Sequence, residues 1–251
     1  MNTDTAPAPH SNPPGSRLAI MQPYFFPYIG YYQLAATADD FMFYDDVNFI
    51  EGGWINRNYI ISREGRSLFT VPLVKPSPNK LINEIEVQQN GWQDKFRKSL
   101  QHTYSKAPYF DSAFKLIDSV IAGGSGTIGA LAAESVRCVL DYLSVPVRFH
   151  HSSERNYDRS ADKVGKIISI AKTFDCTVLL FPSGSKSLYR DEDFAQHGYA
   201  SFAVIPQVQA YKQFSSVRFE PHLSIIDVLM FNSPERIREM LGEKKLEKLN
   251  D

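Results

Sequence analysis

Asp45 and Asp46 are neighbours in the chain, and two carboxyls held side by side make proton-transfer chemistry available. One negative charge raises the proton affinity of the other, and a carboxylate lifted in this way accepts a proton near neutral pH. Shortly after them come Trp54, Asn56, Arg57 and Asn58, a flat apolar face, two amides and a guanidinium that together suit an anionic or sugar-like ligand. Tyr24, Tyr28 and Tyr31 add rings and hydroxyls upstream, with Gln22 and Gly30 among them. Lys75 brings a charge able to hold a phosphate, and Ser183, Gly184, Ser185, Lys186 and Tyr189 form a hydroxyl-rich run with a second one. His102 and His222 are imidazoles placed beside these motifs. Asp45, Asp46 and His102 are therefore the candidate catalytic groups, and the remaining residues the candidate binding groups. Paired aspartates also cap turns and surface lysines are usually solvated, so the expectation rests on the ensemble.

Such groups need elements to hold them. Residues 18–20 are apolar and read as a buried strand, and Pro23 and Pro27 bracket the aromatic run Tyr24, Phe25, Phe26 so that its backbone is restricted. A helix starts at Pro27 or Tyr28, where a missing amide costs nothing; Gly30 allows close approach, and Ala35, Ala36 and Ala38 keep the helix narrow. Residues 40–47 read as a second strand, and a strand, short helix and strand imply a right-handed parallel pair. Asp45 and Asp46 then fall at the carboxyl end of that strand, the edge where open α/β sheets bind ligands.

Further on, residues 59–71 read as a β-hairpin around the turn 63–66, and residues 81–87 alternate as a third strand. Trp92, Phe96 and Leu100 share the buried stripe of a helix at 92–104, with further helices at 111–121 and 127–143. The glycine cluster at 123–126 follows a helix, where a phosphate loop would follow a strand, so it reads as a connection. Strands at 145–150 and 176–181 flank a helix at 160–174, and the Ser183 run leaves the second of them on the same edge as the aspartates. A last strand covers 202–205, Ser224 and Asp227 have capping-box spacing at the start of a helix, and the tail after a final helix reads as a solvated charged end. The pattern predicts an α/β fold: an open, mostly parallel, doubly wound (Rossmann-like) sheet with a β-hairpin inserted at about 55–88 and a helical segment at about 91–143. It forms one α/β domain over 17–251 behind a disordered leader at 1–16.

Composition narrows the function classes. With 251 residues, 43% of them hydrophobic, and a net charge of −1, the chain has enough apolar content for one good core and lacks the basic surplus of a nucleic-acid binder. No apolar run reaches the length of a membrane span, and Cys138 and Cys176 read as reduced core residues of a cytoplasmic protein. No metal-ligand pattern is present at recognisable spacing.

The strings MQPYFFPYIGYYQL at 21–34, DDFMFYDDVNFI at 39–50 and GWINRN at 53–58 resemble the opening signature of the WbqC-like family, which is associated with bacterial O-antigen and other surface-glycan gene clusters. The resemblance continues through TVPLVK at 70–75, YSKAPYF at 104–110, the Ser183 to Tyr189 run and LSIIDVLMFN at 223–232. It implies an enzyme of lipopolysaccharide or other surface-glycan synthesis acting on a small nucleotide-linked sugar, with a homodimer allowed. The first expectation is transfer of an acyl or aminoacyl group, from a donor such as acyl-CoA, to the amine of a nucleotide-linked amino sugar, with Asp45 or Asp46 accepting the proton. A second layout, Tyr28-Ile29-Gly30-Tyr31 with the later Lys186 loop, is similar to adenylate-forming enzymes of the HIGH-motif class that use ATP with magnesium. Tyrosines stand where that class has imidazoles, so positive charge there would come from Arg57, Lys75 or Lys186. The third expectation is a non-catalytic sugar-nucleotide-binding protein.

Overall fold

The computed structural model describes residues 15–62, 65–123, 126–214 and 218–250. Most of the predicted leader, the turn residues Arg63 and Glu64, and Gly124 and Ser125 of the glycine cluster lie outside the described residues. The first strand, β1 (Arg17–Met21), sets the layering, because successive side chains of an extended strand face opposite ways. Ala19 joins Phe41, Phe43, Leu180 and Val204 in the larger core, while Leu18 joins Met42, Leu179, Phe181 and Ala203 in the smaller one. The sheet is thus buried on both faces, as a mostly parallel sheet must be.

Its other strands are β2 (Asp40–Phe43), β5 (Arg148–His151), β6 (Val178–Pro182), β7 (Ala200–Pro206) and β8 (Lys244–Lys248). They lie in the order β5-β2-β1-β6-β7-β8, parallel throughout except that β8 runs antiparallel on β7. The chain moves outward from β1 through β2 to β5, then returns to the other side of β1 and moves outward again. This is the winding of dinucleotide-binding sheets, and its reversal point lies between β1 and β6. The expected doubly wound sheet is therefore present, with the reversal identified.

Helices cover both faces. Helix α1 (Ile29–Ala35) joins β1 to β2, while α2 (Trp92–Tyr104), α3 (Phe110–Ala122) and α4 (Ile128–Tyr142) precede β5. Helices α5 (Lys163–Ala171) and α6 (Glu192–Ala195) precede β6 and β7; α7 (Ile225–Phe231) and α8 (Pro234–Gly242) precede β8. Thr127, Asp162 and Ser233 each cap a helix by accepting a bond from a first-turn amide, and Pro234 fills the first position of α8. No helix among the described residues is long and apolar enough to cross a membrane. Cys138 and Cys176 are unpaired, and burial pushes their thiols up to about 12 and about 11.

Strands β3 (Arg57–Ser62) and β4 (Gly65–Thr70) form a separate antiparallel hairpin. It is docked by backbone bonds from Phe25 to Ile55 and from Ser224 to Tyr59, and by the Ile61 amide donating to the Tyr104 hydroxyl at 3.2 Å.

Four local expectations need correction. Strand β2 ends at Phe43, because the Tyr44 amide makes the last bond to β1 at Met21 and the chain then turns. Residues 81–87 are not a strand: the amides of Ile82 and Asn83 bond Val47 and Asp45, so this stretch has no single neighbour to ladder with. The charged tail is an edge strand, and its outward lysines and glutamate are what an exposed edge tolerates. Asp227 does not close a capping box. Ser224 caps α7 through the Ile226 amide, but the Asp227 carboxylate is fully buried and accepts from Tyr104 (2.8 Å), Tyr211 (2.6 Å) and Gln213 (2.7 Å).

Candidate functional site

The loop that leaves β1 is pinned by rings. Phe25 and Phe26 are fully buried, with Phe25 packed edge-on against Phe26, Phe69 and Trp92; burying one such ring contributes about 1.5–3 kcal/mol. Phe26 has a left-handed backbone at φ 41°, a conformation that costs about 1–3 kcal/mol and persists only where its surroundings enforce it. They do: its amide donates to the Ser135 hydroxyl at 2.9 Å, and its carbonyl accepts from Asn58 at 3.0 Å and Ser224 at 2.6 Å. With Phe25 and Phe26 held inward, the flanking Tyr24 and Tyr28 are only partly covered and turn toward the sheet's carboxyl edge.

There they meet the end of β6. A cleft of about 470 Å³ opens at the strand-order reversal, between Tyr24 and Tyr28 on one side and Trp54 and Tyr59 of the hairpin region on the other. Trp54, 47% exposed, lies 5.9 Å from Tyr59, and the Arg66 guanidinium sits 4.4 Å over the Tyr59 ring. Asn58, Ser183 and His222 supply polar groups, and Ile205 and Pro206 of β7 form an apolar wall. His222 is also left-handed, at φ 60°, and its ring lies 6.0 Å from that of Tyr28. Burial, reinforced by Tyr28, pushes the Tyr24 hydroxyl up to about 12, and burial raises Tyr28 as well, so both remain protonated donors at neutral pH.

Six residues singled out in the sequence line this cleft: Tyr24, Tyr28, Trp54, Asn58, Ser183 and His222. Others build it from behind. A Cβ on Gly30 would come within 2.4 Å of the Tyr28 ring, so the glycine is what lets that ring fold over α1. Buried Tyr31 donates to the Gln22 carbonyl at 2.8 Å, Asn56 to the Val71 carbonyl at 2.9 Å, and Arg57 to the Gly53 carbonyl at 2.9 Å. Gln22, Tyr31, Asn56 and Arg57 thereby fix the loops that carry the lining residues.

The remaining candidates are not among its lining residues. Lys186 is ion-paired with Glu247 at 2.7 Å, Ser185 is buried, Gly184 accepts from Ser187, and Tyr189 packs on Phe181 and Phe194. Lys75 is exposed in the loop after β4, and His102 is exposed on α2.

Asp45 and Asp46 are spent elsewhere. Asp45 accepts from the Ser152 hydroxyl (3.1 Å), the Ser153 amide and hydroxyl (each 3.0 Å), and Nδ1 of His151 (2.8 Å). Burial pushes this carboxyl up, but the His151 and Ser153 bonds outweigh it and hold the group below its ordinary value. The expectation of a raised, proton-accepting aspartate fails there, because donors surround it. Asp46 accepts from Ser152, from Tyr157 at 2.9 Å and from Arg159 at 2.8 Å.

Sequence reading missed Tyr59 and Arg66 as lining residues. The signal for them was the hairpin register: Ile61 pairs with Arg66 and Tyr59 with Leu68, which makes Arg66 the diagonal neighbour of Tyr59 on one face. Arg66 carries the fixed positive charge among the described lining residues. No group of three or more His, Cys, Asp or Glu among the described residues is placed to hold a metal ion.

Among known proteins, the model of the WbqC-like protein family matches residues 22–239. The uncharacterized protein Rv1507c of Mycobacterium tuberculosis is 25% identical over 219 residues, covering 86% of this chain and 93% of that protein. No solved structure matches.

Proposed function

The chain belongs to the WbqC-like protein family, and we propose that it binds a nucleotide-linked amino sugar in the cleft and transfers an acyl or aminoacyl group to the sugar's amine, in bacterial surface-glycan synthesis. The observation that carries this reading is the meeting, at the strand-order reversal, of several aromatic rings, one guanidinium and one imidazole. Trp54 and Tyr59 offer their faces to base or sugar, Arg66 its charge to a phosphate, and Ser183 its hydroxyl to a sugar hydroxyl, while the Asn58 amide holds the Phe26 carbonyl and the Tyr59 amide in place.

His222 takes the role of base, since Asp45 is held ionised outside the cleft and Asp46 is occupied by Ser152, Tyr157 and Arg159. The amine nitrogen attacks the donor's carbonyl carbon, a C–N bond forms, and the bond from that carbon to the leaving thiolate of an acyl-CoA breaks. The proton lost by nitrogen passes to His222 and on to the thiolate. The adenylate layout has less support, because Tyr31 is spent on the Gln22 carbonyl and Lys186 on Glu247. A binding role without chemistry is the second reading, favoured by the engagement of both aspartates.

The test is thermal melting against nucleotide-linked amino sugars, acyl-CoA and ATP with magnesium. A nucleotide-linked amino sugar at about a hundred times its dissociation constant adds roughly 2.7 kcal/mol, and Trp54→Ala removes most of that shift. His222→Ala keeps binding and loses transfer. Binding without turnover in the wild type selects the second reading; stabilisation by ATP alone, or by none of the panel, overturns both.

A further inference from the structure

The hairpin has two edges, and the fold covers one of them. Along β3 the Tyr59 carbonyl accepts from the Ser224 amide at 2.8 Å and the Ile61 amide donates to the Tyr104 hydroxyl at 3.2 Å, so the backbone groups of residues 59 and 61 point away from β4. Their register partners are Leu68 and Arg66, and with Thr70 these turn their own N–H and C=O groups away from β3. Further along the same edge the outward groups are taken: the Pro72 carbonyl accepts from the Gln88 amide at 2.9 Å, and the Val74 amide donates to the Glu86 carbonyl at 2.8 Å. At Arg66, Leu68 and Thr70 that cover is missing. Among the described residues β4 has β3 as its sole strand neighbour, and no backbone bond from outside the hairpin reaches those three.

The side chains at this edge do not guard it. Leu68 is 45% exposed and shares a face with Tyr59 and Arg66, while Asn58, Ile60 and Phe69 on the other face are buried. Edge strands that stay single carry proline, a bulge or an inward-pointing charge; residues 65–70 hold no proline, and their one charge, Arg66, lies over the Tyr59 ring. Such an edge, with free donors and acceptors on alternate residues, is complementary to an antiparallel copy of itself. In the register centred on Leu68, that residue faces Leu68 of the partner subunit and Arg66 faces the partner's Thr70, so the free groups of both copies are all used. A shift of two residues sets Thr70 beyond the start of β4, or sets Arg66 opposite Pro72, which has no amide and whose carbonyl Gln88 already holds. A shift of four toward the turn sets Arg66 against its own copy, like charge on like.

We propose that β4 is an interface between two copies of this chain, paired antiparallel about a two-fold axis at Leu68 into a four-stranded sheet. The exposed face of that sheet then carries a continuous row, Tyr59 and Leu68 of each copy, with Trp54 flanking each end 5.9 Å from Tyr59. Arg66 lines the cleft, so the partner's Thr70 comes to stand beside a cleft residue, and the two clefts open on one face of the assembly. The pairing needs only the backbone edge and stands whatever the cleft binds. Strands as short as these make a contact below standard size, so the dimer is weak, with a dissociation constant on the order of 10–100 µM.

Sedimentation of the full-length protein from about 1 µM to about 1 mM reads the equilibrium. The wild type passes from monomer to dimer and forms nothing larger. Leu68→Arg sets like charges face to face and weakens the dimer roughly tenfold or more, while Thr70→Glu, set opposite Arg66 of the partner subunit, tightens it a few-fold. Leu188→Arg, at an exposed leucine outside the hairpin, leaves the equilibrium unchanged. Melting temperatures report that the variants keep the fold, and if Leu68→Arg does not fold, Thr70→Glu decides. A wild type that stays monomeric throughout, a Leu68→Arg variant that dimerises like the wild type, a Thr70→Glu variant that dimerises less tightly, or loss of the dimer with Leu188→Arg overturns the proposal.

Discussion

Asp45 and His151 shift each other's pKa in opposite directions through one hydrogen bond. The lowered Asp45 contributes stability above its unfolded value of roughly 3.9 and loses it as pH falls through the folded value. The raised His151 contributes fully below its unfolded value of roughly 6.5 and loses that contribution as pH rises through the folded value. The pair therefore stabilises most between about pH 4 and 6.5. Replacing Asp45 by Asn removes both arms, costing about 2 kcal/mol within that window and flattening the fall in melting temperature above it. Melting curves across pH check this, and a variant profile parallel to the wild type would refute it. The same residues show what a sequence can and cannot reveal about a site. An aspartate pair at a strand's carboxyl end was visible from local pattern alone, whereas its partners stand 106 to 113 residues later and only the fold brings them together. Trp54, Asn58 and Tyr28 were legible as residues of one cleft because aromatic and amide side chains cluster in two short stretches around them, and no such cluster marks Arg66.

At the scale of elements, the buried Asp227 carboxylate ties four pieces together. Tyr104 of α2 donates to it and accepts from the Ile61 amide of β3, while Tyr211 and Gln213 bring in the segment leading to His222. Gln213 also bonds both ways with Glu220, which closes that segment on itself two residues before His222. Burial raises the Asp227 pKa against the pull of its three donors, and no cation is among its hydrogen-bond partners in the described residues. Tyr104→Phe thus leaves one carboxylate oxygen and one buried amide each short of a partner. The expected cost is about 2–4 kcal/mol in urea unfolding with an unchanged slope, and a loss under about 0.5 kcal/mol would show that water takes over these bonds. Gly30→Ala acts on a different element. Its Cβ collides with the Tyr28 ring, so ligand-induced stabilisation falls while helix propensity improves, and an unaltered ligand shift would deny Tyr28 its place in the cleft. Helices and their caps were readable because their signals lie within one turn. Asp227 misled because capping-box spacing is local, while the decision to bury it was made by Tyr104 and Tyr211, far away in sequence.

At the scale of the molecule, the winding order makes the cleft, and β8 secures it. The predicted strand, helix and strand pattern fixed the class of fold, but nothing local states that β6 returns beside β1, and without that return Ser183 and Tyr24 do not face one cleft. Nor does a run as charged as Lys244–Lys248 announce itself as a strand, since its apolar content is a single leucine and its order comes from the edge of β7. Leu246 pairs with Val204, Lys245 with Ile205 and Lys244 with Pro206, so β8 lies directly behind the cleft's apolar wall. It also carries Glu247, the partner of Lys186 beside the Ser183 turn. Ending the chain after Glu243 strips these contacts and bares the amides and carbonyls of β7, an uncharged strand of the kind that pairs with another copy. The truncated protein should lose several degrees of melting temperature, self-associate beyond a dimer as its concentration rises, and show a reduced shift with any cleft ligand. Light scattering over a concentration series reads the second effect and melting with ligand the third. A truncated chain that grows no larger than a dimer and keeps a full ligand shift would mean that β7 and the cleft wall stand without their edge strand.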